Sequence, residues 1–223
     1  MPVLSTLADR DRLTDEVVIL DIFRASNTII ELLARDATEV AVVESLERAR
    51  QIKTEQPDWI VLGERGGEKV DGFDGDNSPT GVTAAVAGKT IVLTTSGGAR
   101  CISACPADRR VLVASFANAD AALARLRTDR AEAASFWAVG EKAETPADED
   151  LACARYLARA ADPARPAFEE IRSELLDCTG AERLRRLGQH DDLDFCLALN
   201  SRDIVPVRTA IRDGLSIFTR ETQ

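Results

Sequence analysis

Residues 17–43 read VVILDIFRASNTIIELLARDATEVAVV, an apolar run followed by a helical segment and a second apolar run. The two apolar runs, residues 17–21 and 39–43, have the length and the β-branched content of buried strands. Ser26 or Asn27 can cap the helix between them, because both side chains accept hydrogen bonds from free backbone N–H groups. The stretch is therefore typical of a strand–helix–strand unit of an α/β sheet.

The same alternation continues along most of the chain. Further strands are predicted at residues 59–62, 90–94, 110–114 and 135–139, and further helices from residue 45 and at residues 80–87, 99–104 and 120–128. Towards the C-terminus, Thr179 and Glu182 match a capping box that begins a helix, and Asp213-Gly214 is a hairpin signal. We predict one domain, residues 1–223, of layered α/β/α architecture with a mostly parallel central sheet, C-terminal helices and a terminal β-hairpin.

The composition is that of an ordinary globular protein. A chain of 223 residues with 45% hydrophobic residues can bury a core without metal or disulfide crosslinks. Its five cysteines are odd in number and lie mostly on predicted helix faces, which favours reduced thiols. The single histidine, His190, disfavours a zinc site, and we expect it to lie at a helix end.

The charge limits the partners that this protein can bind. A net charge of −10, from 38 acidic and 28 basic residues, disfavours general binding to nucleic acids or anionic membranes. No apolar run approaches membrane-spanning length and no signal-peptide core begins the sequence, so we expect a cytoplasmic protein. The oligomeric state stays open, and a homo-oligomer is one of the alternatives.

The longest polar interval is GERGGEKVDGFDGDNSP, residues 63–79. It follows a predicted buried strand, so Glu64 and Arg65 emerge where ligands bind in an open α/β sheet. An ordinary surface loop is the alternative, but a structureless loop of this length is usually functional or disordered. Asn77 and Ser78 end the interval as further candidate substrate-binding residues.

Two other predicted strands also end in polar residues. Asp21 and Arg24 follow the first strand and can face a shared cleft, although pairing with each other is an equally good interpretation. TTSGGAR, residues 94–100, turns from a strand into a helix, which is how backbone N–H groups are brought to an anion. The candidate anion-binding residues of this turn are Thr95, Ser96, Gly97 and Gly98.

The charged residues of these segments indicate a doubly anionic ligand and a metal ion. Arg24, Arg65 and Arg100 match phosphate, sulfonate or carboxylate oxygens, which arginine binds in bidentate fashion. The acidic candidates at predicted strand ends and at a helix start are Asp21, Glu64, Asp74, Asp76, Glu149 and Asp150. Such carboxylates repel one another unless a hard cation such as Mg²⁺ lies between them, and surface salt bridges are the alternative for some of them.

Five segments resemble the successive motifs of the 2-phosphosulfolactate phosphatase family. They are ILDIFRASNTI (residues 19–29), GERGGEKVDGFDGDNSP (63–79), VLTTSGGAR (92–100), DEDLACARYL (148–157) and DDLDFCLALNSRDIVPV (191–207). The resemblance covers nearly the whole chain, in order and spacing. It implies a layered α/β fold and a magnesium-dependent phosphatase that hydrolyses 2-phosphosulfolactate to sulfolactate and inorganic phosphate, a step toward coenzyme M.

The hypothesis for the mechanism assigns a role to each group of residues. Mg²⁺ is held by carboxylates and activates a water molecule, Asp21, Glu64 and Asp74 are the catalytic candidates, and the arginines with the 96–98 turn stabilise the phosphoryl oxygens. The expected metal ligands are Asp21, Glu64, Asp76 and Asp150. A covalent serine intermediate on Ser78 or Ser96 is the competing mechanism, and a non-catalytic binding module for a small phosphorylated dianion is the alternative function.

Three positions depart from the family pattern. Gly97 and Ala99 stand where the family commonly has Asn and Thr, and Arg155 stands where a glycine is usual. The loss of two side-chain hydrogen-bonding groups leaves backbone binding of phosphate intact. A related small phosphorylated hydroxy acid is therefore an alternative substrate.

Overall fold

The computed structural model describes residues 1–128 and 134–220. In chain order its strands and helices are β1 (Val3–Ser5), β2 (Glu16–Leu20), α1 (Ala25–Ala34), β3 (Glu39–Val42), α2 (Leu46–Glu55), β4 (Ile60–Arg65), β5 (Glu68–Lys69), β6 (Thr90–Thr94), α3 (Gly98–Ala104), β7 (Arg110–Val113), α4 (Ala119–Thr128), β8 (Ala134–Ala138), α5 (Asp148–Ala158), α6 (Phe168–Leu175), α7 (Thr179–Arg186), α8 (His190–Cys196), β9 (Pro206–Arg212) and β10 (Leu215–Arg220). The predicted α/β class is confirmed. The predicted domain also includes residues 129–133 and 221–223, which lie outside the described residues.

The sheet consists of two blocks of parallel strands joined by the C-terminal hairpin, and the short edge strand β5 pairs antiparallel with β4. Its strand order is β1-β8-β2-β7-β9-β10-β3-β6-β4-β5. Strand β9 pairs antiparallel with β7, and β10 pairs antiparallel with β3. The predicted hairpin is confirmed, but it lies in the middle of the sheet. Three successive antiparallel pairings separate the blocks, so the strands of one block run opposite to those of the other.

Both blocks bury apolar residues against α1 and α3. One cluster combines Val17 and Ile19 of β2 with Ile91 and Leu93 of β6 and with buried residues of the two helices, such as Ile29. A second cluster packs the other face of the β2 block against α4, α5, α7 and α8, and a third packs the β6 block against α2. This packing covers both faces of the sheet, as expected for a layered α/β protein.

Helix α1 is buried along most of its length and uses its polar residues to hold nearby loops. Ser26 Oγ accepts a hydrogen bond from the backbone N–H of Asp21 at 2.9 Å, and Asn27 Nδ2 donates to the carbonyl of Ile22 at 2.9 Å. The predicted caps are therefore wrong, because the helix begins at Ala25 with Arg24 at the N-cap position. The two side chains fix the loop after β2.

Two further helix predictions differ from the structure. Residues 80–87 form only a short 3₁₀ turn, Ala84–Val86. The backbone N–H and the hydroxyl of Thr80 both donate to Asp192 Oδ1, at 3.2 and 2.6 Å, so a tertiary contact outweighs the local preference there. Helix α7 begins after Cys178 without a side-chain cap, so the predicted capping box is wrong.

The cysteines contribute free thiols to the interior of the protein. All five cysteines are buried and free, as predicted. None of the described helices combines the length and the apolar character needed to cross a bilayer.

Candidate active site

Residues from both blocks of the sheet line a cavity of about 170 Å³. Asp21 follows β2, Glu64 lies near the end of β4, Ser96 follows β6 and Gly140 follows β8. We call it the acidic cavity, because its lining includes the carboxylates of Asp21, Glu64, Glu149 and Asp150. The structure thus brings together the three distant segments that begin at residues 21, 64 and 96.

Glu64 connects the loops that follow β4 and β6. One carboxylate oxygen accepts the backbone N–H of Ser96 at 2.6 Å, and the other accepts the backbone N–H of Gly67 at 2.7 Å and the Ser96 hydroxyl at 3.1 Å. Its side chain is buried. Because a charged acceptor strengthens hydrogen bonds, Glu64 holds both loops at the cavity wall.

Asp150 lies in the first turn of α5 and connects two other loops. Its carboxylate accepts the backbone N–H of Ile22 at 2.7 Å and that of Gly140 at 2.8 Å. Burial, together with the negative charges of Asp21 and Glu149, raises the pKa of this carboxyl well above its ordinary value. The position of Asp150 therefore fixes the loops after β2 and β8 relative to each other.

Asp21 and Glu149 complete a crowded group of acids. Burial raises the pKa of Asp21 to about 6, and the charges of Glu64 and Glu149 contribute, although a hydrogen bond from the backbone N–H of Ala25 acts in the opposite direction. Burial also raises the pKa of Glu149. Neutralising these charges would remove an electrostatic cost, which a proton or a bound cation can do.

Two glycines leave room for the oxygens of these acids. A Cβ atom on Gly98 would lie 2.7 Å from Asp21 Oδ2, and one on Gly180 would lie 2.6 Å from Glu149 Oε1. Any residue with a Cβ atom at either position would collide with the carboxylate, which would have to move. Gly98 therefore supports the cavity by making space for Asp21.

The donor set of the cavity fits magnesium. No set of three or more His, Cys, Asp or Glu side chains in the described residues is arranged to hold a metal ion. Mg²⁺, however, is usually held by one or two carboxylates together with water and substrate phosphate oxygens. Within the described part of the chain, Asp21 Oδ2 and Glu149 Oε1 receive no hydrogen bond from another residue, so these two oxygens suit such a site.

Three basic residues also line the acidic cavity. Arg24 is buried and its guanidinium donates to Asp192 Oδ2 at 2.6 Å and to the carbonyl of Gly67 at 3.2 Å, so it pairs with Asp192 and not with Asp21. Arg183 lies 3.4 Å from Glu141. Lys142 has no ion-pair partner among the described residues.

Asn77 contributes an unpartnered amide to the same cavity. Its side chain is 3% exposed, and Oδ1 has no hydrogen-bond partner among the described residues. The Thr28 hydroxyl of α1 donates to the Asn77 carbonyl at 3.1 Å and holds the backbone in place. A buried polar group without a partner is costly, which indicates that Asn77 contacts a ligand.

Some predicted site residues lie away from the acidic cavity. Asp74 binds Lys53 at 2.6 Å and accepts the backbone N–H of Val61 at 2.8 Å, and the pKa of its carboxyl is lowered because these hydrogen bonds outweigh partial burial. The predicted catalytic role of Asp74 therefore has no geometric support. Asp76 and Ser78 also lie outside the lining.

Asp76 and Ser78 instead support the ion pair of Arg24. Asp76 Oδ2 lies 3.5 Å from the guanidinium of Arg24, and its other oxygen accepts the backbone N–H of Ser78 at 3.1 Å. The Ser78 hydroxyl donates to Asp192 Oδ1 at 2.7 Å. In the structure Asp76 and Ser78 thus make contacts that hold Arg24, and their predicted metal-binding and substrate-binding roles stay predictions.

Other predicted residues line a neighbouring cavity of about 450 Å³. We call it the basic cavity, because Arg65, Arg100 and Lys142 are in its lining, and Thr95, Ser96, Gly66 and Glu44 complete it. Gly97 lines the acidic cavity, where Gly140 packs against it. The predicted residues are therefore divided between two adjacent cavities.

Sequence reasoning missed three residues that the structure brings to this region, Asp192, Lys142 and Arg183. Asp192 lies within one of the family-like segments, which was a usable signal, and Glu149 was already a candidate acid without an assigned role. Lys142 and Arg183 had no local signal. A basic residue in a loop or at the end of a helix is ordinary, and only the tertiary fold reveals what it faces.

The chain is similar to known proteins along most of its length. A family model described as 2-phosphosulpholactate phosphatase matches residues 4–210. A protein of Symbiobacterium thermophilum is 33% identical over 214 residues, or 86% of this chain and 90% of that protein. One from Gloeobacter violaceus is 33% identical over 88% of this chain and 89% of its own length, and one from Prochlorococcus marinus is 31% identical over 87% and 89%. Each of the three is called a probable 2-phosphosulfolactate phosphatase.

Proposed function

Because the chain belongs to the 2-phosphosulpholactate phosphatase family, we propose that it hydrolyses 2-phosphosulfolactate, or a related small phosphorylated hydroxy acid, to the hydroxy acid and inorganic phosphate. The observation that carries this proposal is the convergence of Asp21, Glu149 and Asp150 with the unpartnered amide of Asn77 on one cavity. A magnesium requirement, a role in coenzyme M synthesis and a cytoplasmic location are further parts of the proposal.

The carboxylates of Asp21 and Glu149 would hold Mg²⁺, with Asp150 behind them. When bound, the ion supplies positive charge to the phosphoryl oxygens. Asp150 orients the two loops next to Asp21, and Glu64 performs the same task for the loops after β4 and β6. These two acids therefore position the site.

The remaining polar residues act on the substrate. Asn77 Oδ1 is a hydrogen-bond acceptor, so a water molecule or a protonated oxygen of the substrate would give this buried atom the partner that it lacks. Arg183 supplies positive charge at the cavity wall, where negative charge persists through phosphoryl transfer. Arg24, one of the three arginines that the sequence assigned to the anionic ligand, keeps its ion pair with Asp192 at the cavity wall.

Water is favoured over serine as the nucleophile. Ser78 lies outside the acidic cavity and donates to Asp192. Ser96 lines the cavity, but its hydroxyl already donates to Glu64, whose two oxygens also accept backbone N–H groups. No histidine lines the cavity. Capture of a phosphoserine during turnover would replace this assignment with the covalent mechanism.

Phosphate release from 2-phosphosulfolactate and 2-phospholactate by the purified protein, with Mg²⁺ and with a chelator, tests the proposal. We expect turnover that the chelator abolishes and that Asp21→Asn reduces by at least about 100-fold. The matched control is Asp74→Asn, which removes the same charge outside the cavity and should keep most of the activity. Binding of the substrate without phosphate release would instead support the non-catalytic binding module.

A further inference from the structure

The acidic and basic cavities are neighbours with a common wall. Gly66, Ser96 and Lys142 line both of them. A ligand that places one group in the acidic cavity therefore has room to extend past these three residues into the larger one. The smaller cavity holds about 170 Å³ and the larger about 450 Å³, so the second has space for more than a phosphoryl group.

The two cavities have opposite charge character. The acidic cavity has five acids in its lining, Asp21, Glu64, Glu141, Glu149 and Asp150, against three basic residues. The basic cavity has Arg65, Arg100 and Lys142 in its lining against one acid, Glu44. Such an excess of positive charge in a concave site favours an anion.

Two of these basic side chains keep their charge available. Arg65 donates to the carbonyls of Glu64 and Glu44 at 2.6 and 3.1 Å and to the Thr94 hydroxyl at 2.9 Å, all of which are neutral acceptors. Neither Arg65 nor Lys142 has a carboxylate partner within the described residues. The guanidinium of Arg65 is therefore held in place by neutral acceptors, and the ammonium group of Lys142 is exposed and free to bind an anion.

Arg100 positions Lys142 between the cavities. Its guanidinium donates to the carbonyl of Lys142 at 2.7 Å and to Glu144 at 2.8 Å. Lys142 has φ 52° and Ala143 has φ 60°, a left-handed backbone that is unfavourable for these residues and that the contacts of the loop maintain. These contacts fix the backbone of Lys142 at the common wall, from which its exposed side chain extends.

On the basis of the proposed function, we propose that Lys142 and Arg65 bind a second anionic group of the substrate, a sulfonate or a carboxylate, while the phosphoryl group occupies the acidic cavity. The enzyme is then selective for phosphate monoesters that carry another acid group near the ester carbon. Lys142 is the specificity-determining contact, and Arg100 is a positioning residue.

Steady-state kinetics on three substrates test this assignment. These are 2-phosphosulfolactate, 2-phospholactate and isopropyl phosphate, which has a methyl group in place of the carboxylate of phospholactate. We expect Lys142→Gln to lower kcat/KM about 10- to 100-fold for an acid-bearing substrate, chiefly through KM, and by less than about 3-fold for isopropyl phosphate. Lys142→Arg should restore most of the loss. Lys89→Gln is the matched control, since Lys89 is exposed at the start of β6 and lines neither cavity.

The pattern of losses identifies the group that is bound. A loss for both acid-bearing substrates assigns the carboxylate to Lys142, and a loss for 2-phosphosulfolactate alone assigns the sulfonate. An equal loss for isopropyl phosphate would overturn the proposal, because Lys142 would then serve the phosphoryl group.

A binding measurement separates this proposal from the proposed function. If the wild-type protein releases phosphate from none of the substrates, the proposed function fails. Calorimetric titration with sulfolactate still shows whether Lys142 binds the second anionic group. Binding of sulfolactate that weakens at least about 10-fold in Lys142→Gln supports the subsite. Equal binding by the two proteins, or none by either, refutes it.

Discussion

Asp21→Asn is expected to stabilise the metal-free protein while it abolishes activity. The pKa of the Asp21 carboxyl is about 6 in the folded protein against an ordinary value of 3.8, chiefly because of burial. A carboxyl whose pKa is raised on folding binds its proton more tightly in the folded state. The folded state is therefore favoured at low pH and loses stability as the pH rises from about 4 to about 6.

The expected size of the effect follows from that difference. Two pH units correspond to about 3 kcal/mol, and water that enters the cavity reduces this, so we expect a gain of about 1–3 kcal/mol for Asp21→Asn at pH 8. The gain should shrink as the pH falls below about 6, because the Asp21 carboxyl is then protonated in the folded wild-type protein. It should approach zero only below 3.8, where the carboxyl is protonated in both states. Hydrogen bonding to Ala25 can persist through the amide oxygen.

Urea unfolding followed by tryptophan fluorescence measures both effects, at pH 4.5 and at pH 8 with a chelator present. Glu64→Gln is the matched control, because it removes one negative charge from the same cavity. Glu64 accepts three hydrogen bonds, so this variant should lose about 1–3 kcal/mol instead of gaining stability. An Asp21→Asn variant no more stable than wild type at pH 8, or equally stabilised at both pH values, would contradict the reasoning about buried charge.

Three other substitutions test separate parts of the site. Asn77→Ala should leave the free energy of unfolding within about 1 kcal/mol, since Oδ1 has no protein partner, and lower kcat/KM about 10- to 100-fold; unchanged kinetics would remove Asn77 from the site. Arg24→Met should lower the free energy of unfolding in urea by about 3–5 kcal/mol, because it leaves the buried carboxylate of Asp192 without its cation. Adding Asp192→Leu should restore part of that stability. Gly180→Ala should lower the midpoint of thermal unfolding and the activity together, because the new methyl group meets Glu149; a neutral result would mean that α7 can shift freely.

The strand ends could be predicted from the sequence because their signals are local. An apolar run followed by a polar residue marks the end of a buried strand, where the polar side chain can line a ligand site. Asp21, Glu64 and Ser96 were all found in this way. The hairpin was predicted from Asp213-Gly214 for the same reason. Its place in the sheet could not be predicted, since that depends on which strand edges remain open after the rest has folded.

The residues that were misassigned have partners far away in the chain. Asp74 looks like a catalytic acid in its glycine-rich loop, but Lys53 of α2 binds it. Thr80 starts a segment with helical preference, but Asp192, 112 residues later, accepts its hydrogen bonds. The sequence around Lys142 gives no sign of a binding site, and only the structure shows that this lysine lines both cavities.

The central hairpin has a consequence for biosynthesis. Asp21 belongs to one block of the sheet and Glu64 and Ser96 to the other, and β9 with β10 connects the blocks. Without residues 206–220 no strand would lie between the two blocks, and the inner edges of β7 and β3 would be open to pairing with other chains. Assembly of the catalytic centre therefore waits on a segment that contributes no side chain to the cavity lining, and chains released early from the ribosome would be inactive for that reason.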